Sequence, residues 1–152
     1  MRSLSYGKAS IEDLPRIVEM KLAMFEEAGF SHLLARDAAS LVLSDYRQLY
    51  QQRRAIHMVA RSSAEIVACA GAFVKRDLPF RYFDPPQYGF LGDVYTDSHY
   101  RGQGIATKLS SDAIGWLKGF NMKMVRLLAS EATSSIYAEM GFKPSDEMML
   151  EL

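Results

Sequence analysis

The stretch Tyr100-Arg101-Gly102-Gln103-Gly104-Ile105-Ala106-Thr107 decides how this 152-residue chain is read. It lies between a strand-like run, Tyr88 to Thr96, and a helical pattern, Gln103 to Lys118, whose Ile105, Leu109, Ala113, Trp116 and Leu117 share one inward face. Two closely spaced glycines permit a tight backbone whose amides point into one small volume. The helix that follows adds the positive end of its dipole, and together they make an anion site suited to phosphate. Arg101 adds a fixed charge. The dinucleotide fingerprint G-x-G-x-x-G would need a third glycine where Thr107 stands, and no Gly-Lys-Ser/Thr follows to make a P-loop. Taken as a bare pattern, the stretch is equally compatible with a plain glycine turn.

Outward from this motif the hydrophobic period assigns the neighbouring elements. Met122 to Ala129 reads as a strand, so the middle of the chain is strand, helix, strand, a right-handed crossover with two parallel strands. Ala55 to Ala60 and Glu65 to Val74 form a hairpin about the polar turn Arg61-Ser62-Ser63. Leu4 to Ala9 is an opening strand. A helix with Ile11, Leu14, Val18, Leu22 and Phe25 on one stripe follows, with Ser10 as N-cap and Gly29 as stop, although Pro15 removes an amide near its start. A second helical pattern runs through Leu34, Ala38, Leu41, Val42 and Leu49 to Gln52. Asp77 to Pro86 reads as an aromatic loop, in which Phe80, Tyr82 and Phe83 either wall a site or anchor the loop itself. A short helix from Thr133 to Met140 ends at Gly141, and Glu147 to Leu152 is expected as a last strand. No repeat or linker divides the chain, so a single domain over 1–152 is expected.

Composition narrows the function. Eighteen Lys plus Arg against eighteen Asp plus Glu give zero net charge, which removes the basic signature of a nucleic-acid or anionic-membrane binder. The longest apolar run, Ile66 to Val74, contains Gly71 and is far short of the roughly 20 residues that span a bilayer. The opening residues, MRSLSYGKASIEDLP, carry no apolar h-region, and the single cysteine, Cys69, excludes an internal disulfide and a Cys-cluster metal site. A cytoplasmic protein without metal, nucleic acid or membrane as partner is the expectation. His32, His57 and His99 lack metal-ligand spacing, and Cys69 in its apolar strand reads as packing.

The run from Arg101 to Ala106 resembles the Arg/Gln-x-x-Gly-x-Gly/Ala signature of the GNAT superfamily of acetyl-CoA-dependent N-acetyltransferases. Phe90-Leu91-Gly92-Asp93-Val94-Tyr95-Thr96 looks like the family's strand before that motif, and Ile136-Tyr137-Ala138-Glu139-Met140-Gly141-Phe142 looks like its closing LYxxxGF segment. Order and spacing agree over roughly residues 55 to 145. The resemblance implies an α/β fold with a central mixed sheet of about six or seven strands and about four helices, the coenzyme lying at a splay between two parallel strands.

By the same resemblance the amides of Gly102, Gln103, Gly104, Ile105 and Ala106 hold the coenzyme pyrophosphate, with Arg101 and Thr107 assisting. The pantetheine arm lies along Val94, Tyr95 and Thr96. A backbone amide near Val94 or Tyr95 polarises the thioester carbonyl and stabilises charge in the tetrahedral intermediate. Tyr137 matches the tyrosine that protonates the departing thiolate, sensible for a phenol of pKa about 10 facing a thiol near 8.5.

The base is harder to place. An alkylamine of pKa about 10.4 is deprotonated only about one part in a thousand near neutral pH, a deficit of roughly 4 kcal/mol. Many family members carry Glu where Gly92 stands, which leaves Asp93 as the nearest carboxylate, either a base or a structural hydrogen-bonding group. Strict alternation places Asp93 on the face of Leu91 and Tyr95, and a bulge would change that facing. Glu26, Glu27 and Glu131 are further candidates. A second departure is Glu131, where the family often has Asn; Ser130 then either supplies a polar contact to the coenzyme or caps a helix. Met24 with Phe25 is placed to line an acceptor pocket. The sequence thus reads as an N-acetyltransferase moving an acetyl group from acetyl-CoA to a primary amine of a small molecule or peptide. An acyl-CoA-binding regulatory domain with little or no turnover is the alternative, and an edge strand near the C-terminus offers a route to a homodimer.

Overall fold

The computed structural model describes residues 3–77 and 85–152. Its elements are β1 (Leu4–Lys8), α1 (Leu14–Glu27), α2 (Ala38–Gln51), β2 (Ala55–Ser62), β3 (Glu65–Arg76), β4 (Gln87–Thr96), α3 (Ile105–Lys118), β5 (Val125–Leu127) and α4 (Ser134–Glu139). Single 3-10 turns at Ile11–Asp13, Ser31–Leu33 and Ser98–Tyr100 join them. The strands form one mixed sheet in the order β1-β2-β3-β4-β5, antiparallel except for the parallel pair β4–β5, with α3 as the crossover between those two.

The helix starts follow from local chemistry. Ser10 caps the turn Ile11–Asp13 rather than α1 itself: its N–H donates to Asp13 Oδ2 at 2.8 Å. Pro15 falls in the first turn of α1, where the missing N–H has no intrahelical acceptor to lose. The second helical pattern splits, because only Ala38–Gln51 is α-helix and the residues before it make a separate turn.

The sheet separates two cores because β2 and β3 alternate apolar residues on both faces, so each face needs its own cover. On one face Met58, Ala60, Ala68, Ala70, Ala72, Val74 and Leu91 pack under Ile105, Leu109, Ala113 and Leu117 of α3. The run of alanines lets the helix lie close to the strands. On the other face Ala55, Val59, Cys69 and Phe73 meet Leu14, Ile17 and Met20 of α1 and Tyr46 of α2.

Two strand expectations change. The described residues contain five strands, fewer than expected, and Glu147–Leu152 forms none of them: Met148, Met149, Leu150 and Leu152 are exposed. The outermost strand, β5, is only Val125–Leu127, and so short an edge offers few groups for a further ladder. That brevity also shapes the site. Parallel pairing runs from Gly89↔Val125 to Leu91↔Leu127 and stops, so Gly92 to Thr96 of β4 continue with no strand of the described residues on that side. The parallel strands part there, as the splay anticipates. The aromatic residues Phe80, Tyr82 and Phe83 lie outside the described residues. No helix among the described residues is long and apolar enough to cross a membrane.

Candidate active site

At the end of β4 the chain makes the turn Ser98–Tyr100, passes Arg101 in extended conformation and enters α3. Gly102 and Gly104 both have φ +75, the left-handed region that a side chain disfavours. A Cβ on either would meet nothing within 4 Å, so these positions need glycine for conformation and not for space. Lys108 N–H is the first to close a helical bond, to Gly104 C=O at 3.1 Å. The amides from Gln103 to Thr107 therefore have no acceptor among the described residues, and they cluster at the positive end of the helix.

Arg101 is held from two sides. Its Nε donates to Thr96 C=O at 2.7 Å and its guanidinium pairs with Glu27 Oε2 at 2.7 Å. Tyr95 Oη donates to the other Glu27 oxygen at 2.8 Å. The hydrogen bonds from Arg101 and Tyr95 hold the Glu27 carboxyl below the usual range, although the group is close to solvent.

Behind the strand lies a buried polar cluster. Gly71 pairs with Gly92 and Cys69 with Tyr95, so Asp93 and Val94 together face the single residue Ala70. This is a β-bulge, and Asp93 takes φ +53 in it. The bulge turns Asp93 toward α1 and α2, while Val94 packs on the α3 face and Tyr95 on the α1/α2 face. Asp93 Oδ1 accepts from Lys21 Nζ at 2.5 Å, and Oδ2 accepts from Tyr46 Oη at 2.5 Å and bonds His57 Nε2 at 2.9 Å. His57 reaches β4 from β2 by crossing Gly71, where a Cβ would come within 2.9 Å of its Nε2. On the far side of the ring, Nδ1 bonds Tyr50 Oη at 2.7 Å. Cys69 Sγ–H donates to the Asp93 carbonyl at 3.1 Å, and burial pushes that thiol's pKa up. Burial works against ionisation of Asp93, yet the hydrogen bonds and charge supplied by His57 and Lys21 more than offset it and hold the carboxyl well below the usual range. A carboxylate so placed is a weak proton acceptor, and it acts as an anchor for the bulge. Lys21, Tyr46, Tyr50 and His57 carry no motif in the sequence; only the polar residues' positions on otherwise apolar faces mark them.

The open edge of β4 borders a cavity of about 280 Å³. Met24 and Glu27 of α1, Val94, Tyr95 and Thr96 of β4, Arg101, Ala106, Thr107 and Ser110 around the start of α3, and Thr133, Ile136 and Tyr137 at α4 line it. Tyr137 stands edge-on to Phe142 and its hydroxyl has no partner among the described residues; burial raises its pKa. The structure thus brings Val94, Tyr95, Thr96, Arg101, Ala106, Thr107 and Tyr137 together, with Gly102, Gln103, Gly104 and Ile105 forming the turn beside them. Asp93 and Ser130 stand outside this lining. Ser130 closes the turn before α4, where its C=O accepts from Thr133 N–H at 3.1 Å and its Oγ bonds Thr133 Oγ1 at 2.9 Å; the N-cap of α4 is Thr133, so Ser130 is not the helix cap. Of the other carboxylates proposed as bases, Glu27 lines the cavity and Glu26 and Glu131 do not. Among the described residues no group of three His, Cys, Asp or Glu side chains converges as a metal site.

Comparison with known proteins bears on this geometry. The profile of the Acetyltransferase (GNAT) family matches residues 21–142. A predicted acetyltransferase from Clostridium acetobutylicum, solved with acetyl-CoA, is similar with a TM-score of 0.90 at 23% identity, over 99% of this chain and 96% of that one. A GCN5-related N-acetyltransferase from Ralstonia eutropha gives 0.81 at 23% identity, over 99% of each chain. Glucosamine-6-phosphate N-acetyltransferase from Arabidopsis thaliana gives 0.70 at 16% identity, over 99% of this chain and 98% of that one. No curated protein sequence matches.

Proposed function

Because the chain belongs to the GNAT acetyltransferase family, whose reaction is acetyl transfer from acetyl-CoA, we propose that it is a single-domain cytoplasmic enzyme that acetylates a primary amine in the cavity beside β4. The observation that carries this reading is one cavity bordered by a turn of open amides, a strand edge and a tyrosine hydroxyl that have no partners among the described residues. Acetyl-CoA fits these residues: pyrophosphate suits the open amides and Arg101, and an extended amide-bearing arm suits the free edge of β4.

The bound coenzyme supplies an activated thioester. The amides of Gln103, Gly104 and Ala106, at the positive end of α3, hold its phosphates, with Arg101 and Thr107 beside them. An amide of β4 near Val94 or Tyr95 would donate to the thioester oxygen and stabilise negative charge developing there. Tyr137 gives its proton to the departing sulfur. Its raised pKa keeps it protonated through neutral pH, so the acid is ready without prior proton uptake. Glu27 is the carboxylate that meets the incoming ammonium, which would lose its proton to solvent water there before the neutral nitrogen bonds the acyl carbon as the carbon–sulfur bond breaks, and Asp93 acts from behind as a positioning residue for the strand. Structurally similar proteins named as acting on glucosamine-6-phosphate and on aminoglycosides make an amino sugar a natural first acceptor to assay.

Thermal unfolding with and without acetyl-CoA tests the coenzyme site without knowledge of the acceptor. Ligand at about 100 times its Kd adds roughly 2.7 kcal/mol and raises Tm by about 5–10 °C, whereas ATP and NAD as controls leave it nearly unchanged. No selective shift overturns the reading. Tyr137→Phe then separates an enzyme from an acyl-CoA-binding regulator. For the enzyme, kcat falls on the order of 10²-fold with the acetyl-CoA Tm shift retained; a wild type that releases no thiol across an amine panel favours the regulator.

A further inference from the structure

One residue of the cavity wall, Ser110, carries a buried polar atom that no described residue uses. Ser110 follows Ala106 by one helical turn, so the two share a face of α3 and both line the cavity. Ser110 is 0% exposed, and its Oγ is buried with no hydrogen-bond partner among the described residues. A serine inside a helix ordinarily faces solvent or returns its hydroxyl to the carbonyl one turn back. Ser110 does neither. Its neighbours on the buried face, Ile105, Leu109, Ala113 and Leu117, are all apolar, and alanine would complete that face at lower cost. The other buried unpartnered hydroxyl, Ser62, ends β2 and does not border the cavity.

We propose that Ser110 is a binding residue for the coenzyme's pantetheine arm, donating its hydroxyl to an amide carbonyl of that arm. The inference rests on the coenzyme reading above. The position argues for the arm and not for the phosphates: the open amides that suit phosphate lie at the first turn of α3, and Ser110 is a full turn further in. The cavity is also lined by the hydroxyls of Thr96, Thr107, Thr133 and Tyr137, but of the cavity-lining hydroxyls Ser110 Oγ is the one that is fully buried without a partner among the described residues. A buried hydroxyl with no internal partner is costly in the free protein and favourable once a ligand carbonyl meets it.

The test is Ser110→Ala, read by calorimetric affinity and by Tm for the wild type and the variant. Three ligands are compared: acetyl-CoA, free CoA, and adenosine 3′,5′-bisphosphate, which lacks the arm. We expect the variant without ligand to unfold at the same or a higher temperature, because a dissatisfied hydroxyl has been removed. Affinity for both acetyl-CoA and CoA should fall about three- to tenfold, and affinity for the bisphosphate should stay as it was. Unchanged affinity for CoA and acetyl-CoA overturns the proposal, as does a lowered Tm of the free variant with affinities intact, which would make the hydroxyl a structural group. A loss confined to acetyl-CoA assigns it to the acyl carbonyl and overturns the arm. If wild type itself binds none of the three, the coenzyme reading fails first, and that result is distinct from all the others.

Discussion

Asp93 carries opposing demands. It is 5% exposed and ionised, with Lys21, Tyr46 and His57 all directed at its two oxygens. Removing its charge strands Lys21, so Asp93→Asn is expected to cost about 3–5 kcal/mol in urea unfolding. The pH dependence follows from the direction of the shift. Folded Asp93 has a lowered pKa, so below the unfolded value of about 3.9 the unfolded chain binds a proton that the native one refuses. Its contribution is complete above about pH 5 and drains away as pH falls toward the folded value, and Asp93→Asn should flatten that acid limb. Hydrogen-bond partners separated by 72, 47 and 36 residues explain why this cluster was not legible in the sequence: nothing local links Lys21, Tyr46 and His57 to Asp93. Tyr137, by contrast, is legible because its signal is local, a tyrosine three residues before Met140-Gly141 in a helix-ending segment.

Among the elements, α3 depends on two glycines of opposite character. Gly104 caps it at φ +75, whereas Gly115 sits exposed in its interior with open space where a Cβ would go. Gly104→Ala should therefore destabilise by about 1–2 kcal/mol, from the left-handed backbone alone, and weaken acetyl-CoA binding by turning the open amides. Gly115→Ala should stabilise by about 0.5–1 kcal/mol with binding unchanged. Chemical denaturation and calorimetry of the two variants check both signs. Periodicity locates α3 and the β2–β3 hairpin well for different reasons: α3 carries one unbroken apolar stripe over its whole length, although its partners lie far away in the chain, and β2 and β3 pair directly across a short turn. Periodicity places Glu147–Leu152 poorly, because whether an apolar stretch becomes a strand depends on an edge to pair with, and β5 offers only Val125–Leu127.

At the scale of the whole molecule, the sheet divides the protein into a compartment under α3, which borders the cavity, and one under α1 and α2, which holds the buried ionic cluster. The β4 bulge decides to which of the two each later residue belongs. Up to Gly92 the strand alternates in one phase; after the pair Asp93–Val94 it continues in the other, which is what puts Val94 under α3 and turns Tyr95 toward α1 and α2. The strand is thus spelled in two frames, and the pair works on it as a one-letter insertion works on a message. A relative lacking one residue there would keep nearly every letter and turn each later one to the opposite face of the sheet. Alignments of such chains have meaning only when the gap is placed at the bulge.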